Sequence, residues 1–148
     1  SAYYSERVKN KENLTFLDDL DWNSLEAQES RFEQLLKIIN EKSNFSINDV
    51  GCGYANLFDY LKLQGFQDFR YYGSDISEEM IKKSLSLHVR DNIEIKLIKS
   101  ISENKVSDYS LASGLFNSIR SASLEDWSNY ITESLIQMNQ KSLMELIF

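Results

Sequence analysis

Apolar positions along this chain fall into two alternating rhythms. Short apolar runs at residues 45–50, 69–74, 93–98, 109–113 and 143–148 have the length and composition of buried strands. Between them lie longer stretches whose apolar residues recur three and four apart. In the stretch opened by Ser123-Leu124-Glu125-Asp126 these are Leu124, Trp127, Ile131, Leu135 and Met138, which share one helical face. Similar spacing predicts helices over 56–64 and from Glu78 to about His88. A further helix, with Phe32, Leu35, Leu36 and Ile39 on its apolar face, is expected to end near Asn40. Strands alternating with helices imply an α/β fold: a mostly parallel sheet between two helical layers, a three-layer αβα sandwich.

Punctuation agrees with this division. Asn23-Ser24-Leu25-Glu26 has the form of a capping box and predicts the start of the first helix. Residues 1–22, polar and aromatic without a period, are read as an N-terminal arm ahead of a domain over 23–148. Ser77 precedes Glu78 and Glu79, a cap followed by first-turn acids that favour the helix dipole. The chain has no proline and five glycines, at 51, 53, 65, 73 and 114, all near expected element ends. Gly65 suits a left-handed helix end.

Two of those glycines carry the chemistry. Asp49-Val50-Gly51-Cys52-Gly53 lies where the first strand gives way to a helix. A glycine pair there serves a tight turn and a backbone bare enough for a ligand to lie against it. A second acid, Asp75, ends the next strand, 22 residues beyond Gly53. That spacing brings an acidic residue to a ribose in a nucleotide-binding, Rossmann-like βαβ unit. In such sheets ligands sit beyond the carboxyl ends of the strands. A dinucleotide fingerprint would require glycine at the place held by Asn56, and no Gly-Lys-Ser/Thr follows to make a phosphate loop. A ligand with ribose and adenine but no phosphate fits better, and S-adenosylmethionine is the common one.

At this point the chain resembles a known family. Asp-Val-Gly-Cys-Gly-Tyr-Ala at 49–55 and Tyr-Gly-Ser-Asp-Ile-Ser-Glu-Glu-Met-Ile at 72–81 resemble the first two motifs of class I S-adenosylmethionine-dependent methyltransferases. Asp21-Trp22-Asn23-Ser24, Gln28, Arg31-Phe32 and Ala112-Ser113-Gly114-Leu115-Phe116-Asn117 resemble a bacterial subgroup of small methyltransferases of unassigned substrate. The resemblance implies that Gly51, Cys52 and Gly53 lie along the cofactor, Asp49 orders their loop, Asp75 binds the ribose and Ile76 packs on adenine. Ser113, with Gly114, would border the sulfonium, and Arg31 would pair with the cofactor carboxylate. Three departures stand out. Ala55 holds a position that is usually glycine. Lys99-Ser100-Ile101 replaces the acid that usually binds the adenine amino group, leaving Ser100 and Ile101 at that place. The family fold has seven strands, whereas this chain ends in its fifth. The resemblance thus implies either a chain shortened at its C-terminus, lacking the usual last strands, or a sheet edge completed otherwise; an uncovered edge would favour self-association.

Composition narrows the partners. A net charge of −7 opposes a phosphate backbone, so no nucleic acid is expected. No window is apolar enough to span a membrane, and no apolar leader opens the chain. One cysteine and one histidine make neither an internal disulfide nor a Cys/His zinc site, so no metal is expected and the cytoplasm is the expected compartment. Cys52 reads as a small filler between glycines, and His88 as a helix-end residue that is solvated or a partner of the helix dipole. Methyl transfer from a sulfonium needs orientation and exclusion of water more than a catalytic cluster, so catalytic residues are left unassigned. The function expected is methyl transfer to an unidentified small molecule. The alternatives are a binding module without turnover and, more distantly, a nicotinamide-dependent oxidoreductase.

Overall fold

A strand buried on both faces has to lie inside a sheet, and Ser46–Val50 is buried at every position. A computed structural model gives the fold around it and describes residues 16–113 and 123–148, with side chains from Leu25 onward. In chain order the elements are α1 (Phe16–Leu36), β1 (Ser46–Val50), α2 (Asn56–Leu63), β2 (Arg70–Asp75), α3 (Glu78–Leu87) and β3 (Glu94–Leu97). A 3₁₀ turn (Ile101–Glu103), β4 (Ser107–Leu111), α4 (Leu124–Gln140) and β5 (Ser142–Ile147) follow. The sheet runs β3-β2-β1-β4-β5 and every neighbouring pair is parallel. The expected Rossmann-like α/β architecture is therefore present.

Register sorts the side chains onto two faces. Ile47 stands opposite Tyr71 on one side and Tyr109 on the other. With Ile95 they pack against Phe32 and Leu36 of α1, Leu57, Phe58 and Leu61 of α2, and Ile81 of α3. The opposite face holds a smaller core, in which Val50 and Ala112 meet Ile101 and Met138 of α4. Polar residues fill the rest of that face. Asn48 Nδ2 donates to the Lys105 carbonyl at 2.7 Å, and Ser46 donates its amide and hydroxyl to Asp108 at 2.7 and 3.1 Å. These bonds satisfy groups that would otherwise be costly to bury.

Caps hold where they were expected. Ser77 accepts from the Met80 amide and Ser123 from the Asp126 amide, so α3 and α4 start at their serines. After α2, Gly65 turns at φ 82°. Its N–H reaches the Lys62 carbonyl and that of Phe66 reaches Leu61, the paired bonds of a Schellman end.

Two readings are corrected. α1 begins at Phe16, so residues 16–22 are helical and Asn23 lies inside the helix instead of capping it. A cap is a local preference of about 1 kcal/mol, and nothing between Phe16 and Trp22 is glycine or proline to stop a helix from running through. The rest of the N-terminal arm lies outside the described residues. Gly73 is not at an element end but inside β2, for a packing reason given below.

Chain direction across the sheet reverses between β1 and β4. From β1 the chain moves outward to β2 and β3, then returns to β4 on the other side of β1. The carboxyl ends of β1 and β4 therefore flank the crevice at which ligands bind in open parallel sheets. β5 forms an edge among the described residues, with Leu143 and Met144 exposed.

Candidate functional site

The turn from β1 into α2 is built from three left-handed residues. Gly51 has φ 73°, Gly53 φ 53° and Ala55 φ 59°. The first two are conformations that glycine adopts freely. Ala55 adopts one that costs an L-residue roughly 1–2 kcal/mol, and its methyl is fully buried in the main core. The substitution read from sequence as a departure is thus a strained position held in place by packing.

Backbone hydrogen bonds fix the turn to β2. The amides of Gly51 and Cys52 both donate to the Ser74 carbonyl, at 2.8 and 3.0 Å. The Gly53 amide donates to Asp75 Oδ2 at 3.0 Å, and the Ser77 amide to Asp75 Oδ1 at 2.9 Å. A single half-buried carboxylate thus ties together the loop after β1 and the start of α3. Each oxygen keeps acceptor capacity beyond the one amide it holds. Asn56, at the head of α2, donates from Nδ2 to Gln28 Oε1 at 2.8 Å and so secures α1 to the loop.

Gly73 explains how close the loop can come. A side-chain carbon there would meet Tyr71 Cε1 at 3.0 Å and Cys52 Sγ at 3.1 Å. Cys52 occupies the space that the missing side chain leaves. It is buried, and burial together with the negative charges of Asp49 and Asp75 pushes its thiol pKa upward. A thiol held protonated is a filler and not a nucleophile.

Gly53 contrasts with this crowding. A Cβ built on it would touch nothing within 4 Å, so the loop faces open space there. Beside it, Ile76 is 72% exposed, an apolar surface next to the Asp75 carboxylate. At the end of β4, the Ser113 hydroxyl is buried and has no hydrogen-bond partner among the described residues. Gly114, Phe116 and Asn117 lie outside them.

The remaining expected residues are arranged less simply. Among the described residues, the Asp49 carboxylate is held from below and not by the loop: its Oδ2 accepts from the Tyr71 hydroxyl at 2.6 Å in the buried layer. Burial raises the Asp49 pKa to about 7, against the stabilising bond from Tyr71 and with some help from the charge of Asp75. Tyr71 had been read only as a strand aromatic. Ser100 caps the 3₁₀ turn, accepting from the Ser102 amide, and donates to Gln137 Oε1 at 3.3 Å. Ile101, next to it, is buried in the smaller core. Arg31 is exposed on α1, one turn beyond the Gln28 that holds Asn56. His88 is buried, which excludes the solvated reading, and it caps the end of α3 far from Ser77.

A family model described as "Methyltransferase domain" matches residues 48–139. A Mycobacterium tuberculosis protein named "Putative methyltransferase Rv1506c" is 38% identical over 108 residues, which are 72% of this chain and 63% of that one. The chain thus spans less than two thirds of that relative's length. Among solved structures, the magnesium protoporphyrin IX methyltransferase of Synechocystis PCC 6803, solved with bound SAM, superposes with a TM-score of 0.63 at 17% identity. The match covers 97% of this chain and 67% of that one. TehB from Haemophilus influenzae superposes with a TM-score of 0.56 at 18% identity over 76% of this chain and 36% of that one. At these identities the structural likeness is one of fold.

Proposed function

The chain belongs to the methyltransferase-domain family, and from that premise we propose that it binds S-adenosylmethionine at the crevice between β1 and β4 and transfers its methyl group to a small molecule. The observation that carries this reading is the 3.0 Å bond from the Gly53 amide to Asp75. It joins a ribose-binding type of acid to a bare glycine loop, so one ligand spanning a sugar and an amino-acid chain can touch both.

The residues present fit such a ligand. Gly53 leaves room at the loop, and the Asp75 oxygens keep lone pairs for the two hydroxyls of a ribose, an arrangement selective for adjacent hydroxyls. Ile76 offers an apolar face for adenine, and the unpartnered Ser113 hydroxyl offers a hydrogen bond beside the crevice. Ser100 and Ile101 would border the adenine, with Ser100 sharing a hydroxyl already used in a cap. Gly51 and Cys52 would lie along the cofactor through their backbone, and Asp49 beneath them would set the charge of the loop floor. Arg31 would reach the cofactor carboxylate from α1. Bound there, S-adenosylmethionine supplies an electrophilic methyl group on a sulfonium, ready for displacement by an electron-rich atom. The chain's part is to orient the acceptor and keep water out.

Compartment and assembly belong to the same proposal. No helix among the described residues is long and apolar enough to cross a membrane. With one cysteine and no disulfide to protect, we infer the cytoplasm. The exposed β5 edge supports self-association.

Calorimetric titration with S-adenosylhomocysteine tests the site. Asp75→Ala is expected to weaken binding about 10-fold or more, the scale of a lost charge-assisted pair. Because Asp75 also holds the loop, Ile76→Ala is the companion variant: it is exposed, so the fold stays intact while affinity falls about 3-fold or more. Unchanged affinity in both variants would remove the ligand from this edge.

A further inference from the structure

Two carboxylates flank the glycine loop, and they are held in different ways. Asp75 accepts a backbone amide on each of its oxygens. Asp49 closes the other flank, at the end of β1, with 4% of its surface exposed and the Tyr71 hydroxyl as its donor among the described residues. The loop amides nearest to it are engaged elsewhere: those of Gly51 and Cys52 by the Ser74 carbonyl, that of Gly53 by Asp75. A carboxylate buried with one neutral donor and a second acid close by holds its charge poorly until a positive group arrives.

Both acids act on the same stretch of backbone. Each pushes the Cys52 thiol further up than burial alone does, so the middle of the loop lies in the field of both. The ligand proposed for this edge changes charge as it reacts. S-adenosylmethionine carries an ammonium and a sulfonium against one carboxylate. Once its methyl has left, S-adenosylhomocysteine keeps the ammonium and the carboxylate alone. The two forms differ by one methyl group and one positive charge.

Given the cofactor site proposed above, on which this rests, we propose that Asp49 senses the charge of the cofactor: it gives up a proton as S-adenosylmethionine binds and regains one when the sulfonium becomes a thioether, so that the loop favours the substrate form over the product form. The balance closes over one cycle. On binding, the proton of Asp49 leaves to solvent. On transfer, the sulfur–methyl bond breaks with its electron pair staying on sulfur, and a lone pair of the acceptor forms the new bond. The positive charge passes to the acceptor, which carries it away or sheds a proton to solvent. Asp49, left without the cation, takes a proton back from solvent.

The groups around Asp49 set the pH at which this operates. Its register neighbours in the sheet are Gly73 on β2 and Leu111 on β4, and neither ionises. Tyr71 and Asp75, both on β2, are the ionisable groups that act on it. Tyr71 and Cys52 are themselves held protonated, chiefly by burial. The helices over this face bring Phe32, Leu57 and Phe58, all apolar, with the Phe58 ring 5.5 Å from that of Tyr71. Burial outweighs the Tyr71 bond and brings Asp49 to about 7. The group is thus half protonated near neutrality, where a cation beside it has most leverage. A positive charge favours the ionised form, so S-adenosylmethionine should bind more tightly as pH rises through 7, while S-adenosylhomocysteine gains less.

The test is calorimetric titration of the full chain with each ligand at pH 6.5, in two buffers of different ionisation enthalpy, which counts the protons released. Asp49→Asn keeps the shape of the side chain and an acceptor for Tyr71 while removing the titration. On binding S-adenosylmethionine the unaltered chain should release about half a proton more than this variant, for a pKa lowered by about one unit. Between pH 6 and 8 its preference for S-adenosylmethionine over S-adenosylhomocysteine should rise about 5-fold more than that of the variant. The ligand's own amine, which titrates near pH 8 in its free form, and His88 are common to both chains and cancel in the comparison. Carbon-13 shifts of the Asp49 carboxyl in the unaltered chain need no variant. Their midpoint should fall by about one unit with S-adenosylmethionine and by less with S-adenosylhomocysteine. A midpoint that S-adenosylmethionine leaves in place, or that both ligands move equally, overturns the proposal, as does equal proton release by the two chains. Binding of neither ligand at any pH overturns the cofactor site itself, and this inference with it.

Discussion

Tyr71 donates its hydroxyl to Asp49 at 2.6 Å, in a layer where both side chains are buried. They sit on neighbouring strands directly below the glycine loop, so the charge of Asp49 is the charge of the loop's floor. Burial opposes that charge, and the Tyr71 bond supports it.

The first prediction concerns pH. Asp49 titrates near 3.8 when unperturbed and near 7 in the folded chain. Between those values the native state keeps a proton that the unfolded chain has released. Stability from this group is therefore full below about pH 4, declines from pH 4 to 7, and is gone above about pH 7. Each pKa unit is worth about 1.4 kcal/mol, so the decline amounts to a few kcal/mol. Urea unfolding of the chain and of Asp49→Asn at pH 5, 6, 7 and 8 should show the difference between them changing over this range. Parallel curves would mean that Asp49 titrates normally.

Removing the donor should move the same group. Tyr71→Phe deletes the bond that favours the ionised carboxyl, so the Asp49 pKa should rise further, and stability should fall by about 1–3 kcal/mol. Carbon-13 chemical shifts of the Asp49 carboxyl followed against pH read the first effect directly. A midpoint that stays put or drops would count against the tyrosine as the charge-supporting partner.

Gly53 separates stability from binding. Gly53→Ala must adopt φ 53° but meets no atom within 4 Å. The variant should lose about 1–2 kcal/mol of stability from backbone strain alone. Its methyl enters the open space at the loop, so affinity for S-adenosylhomocysteine should fall by more than 10-fold. Equal affinity would show that the ligand does not lie against this residue.

Gly73 makes the opposite case. A methyl there presses on Tyr71 and Cys52, and Gly73→Ala should cost about 1–3 kcal/mol through overpacking. Cys52→Ala in the same chain should return part of that loss, because it vacates the sulfur position at 3.1 Å. Strictly additive losses in the double-mutant cycle would rule out this contact as the cause.

Local chemistry was well written in the sequence. Ser77 and Ser123 announced their helices because a cap needs only the three residues that follow it. Gly51, Gly53 and Asp75 were brought to one sheet edge because a βαβ unit fixes the distance between the ends of neighbouring parallel strands. Signals failed where partners are far apart along the chain. Tyr71 gave no hint that it serves Asp49, since an aromatic in a strand looks like core whatever its hydroxyl touches. His88 and Asp59, 29 positions apart, have no shared pattern and meet only when α2 and α3 pack side by side. Asn23 misled in another way: a strong cap motif was absorbed into a longer helix. Gly73 looked like a strand end because its real constraint, the sulfur of Cys52, sits on a different element.

The bonds that pin the glycine loop have a further consequence for how a ligand would arrive. Ser74 and Asp75 hold the loop through three of its backbone amides, and Asp75 holds that of Ser77 at the start of α3 as well. The chain therefore has little local freedom left to lose at this edge on binding, and the entropic toll of ordering a loop falls away. Association should then resemble docking onto a finished surface, with rates governed by diffusion and orientation. Differences in affinity among analogues would be expressed mainly in how quickly each one leaves.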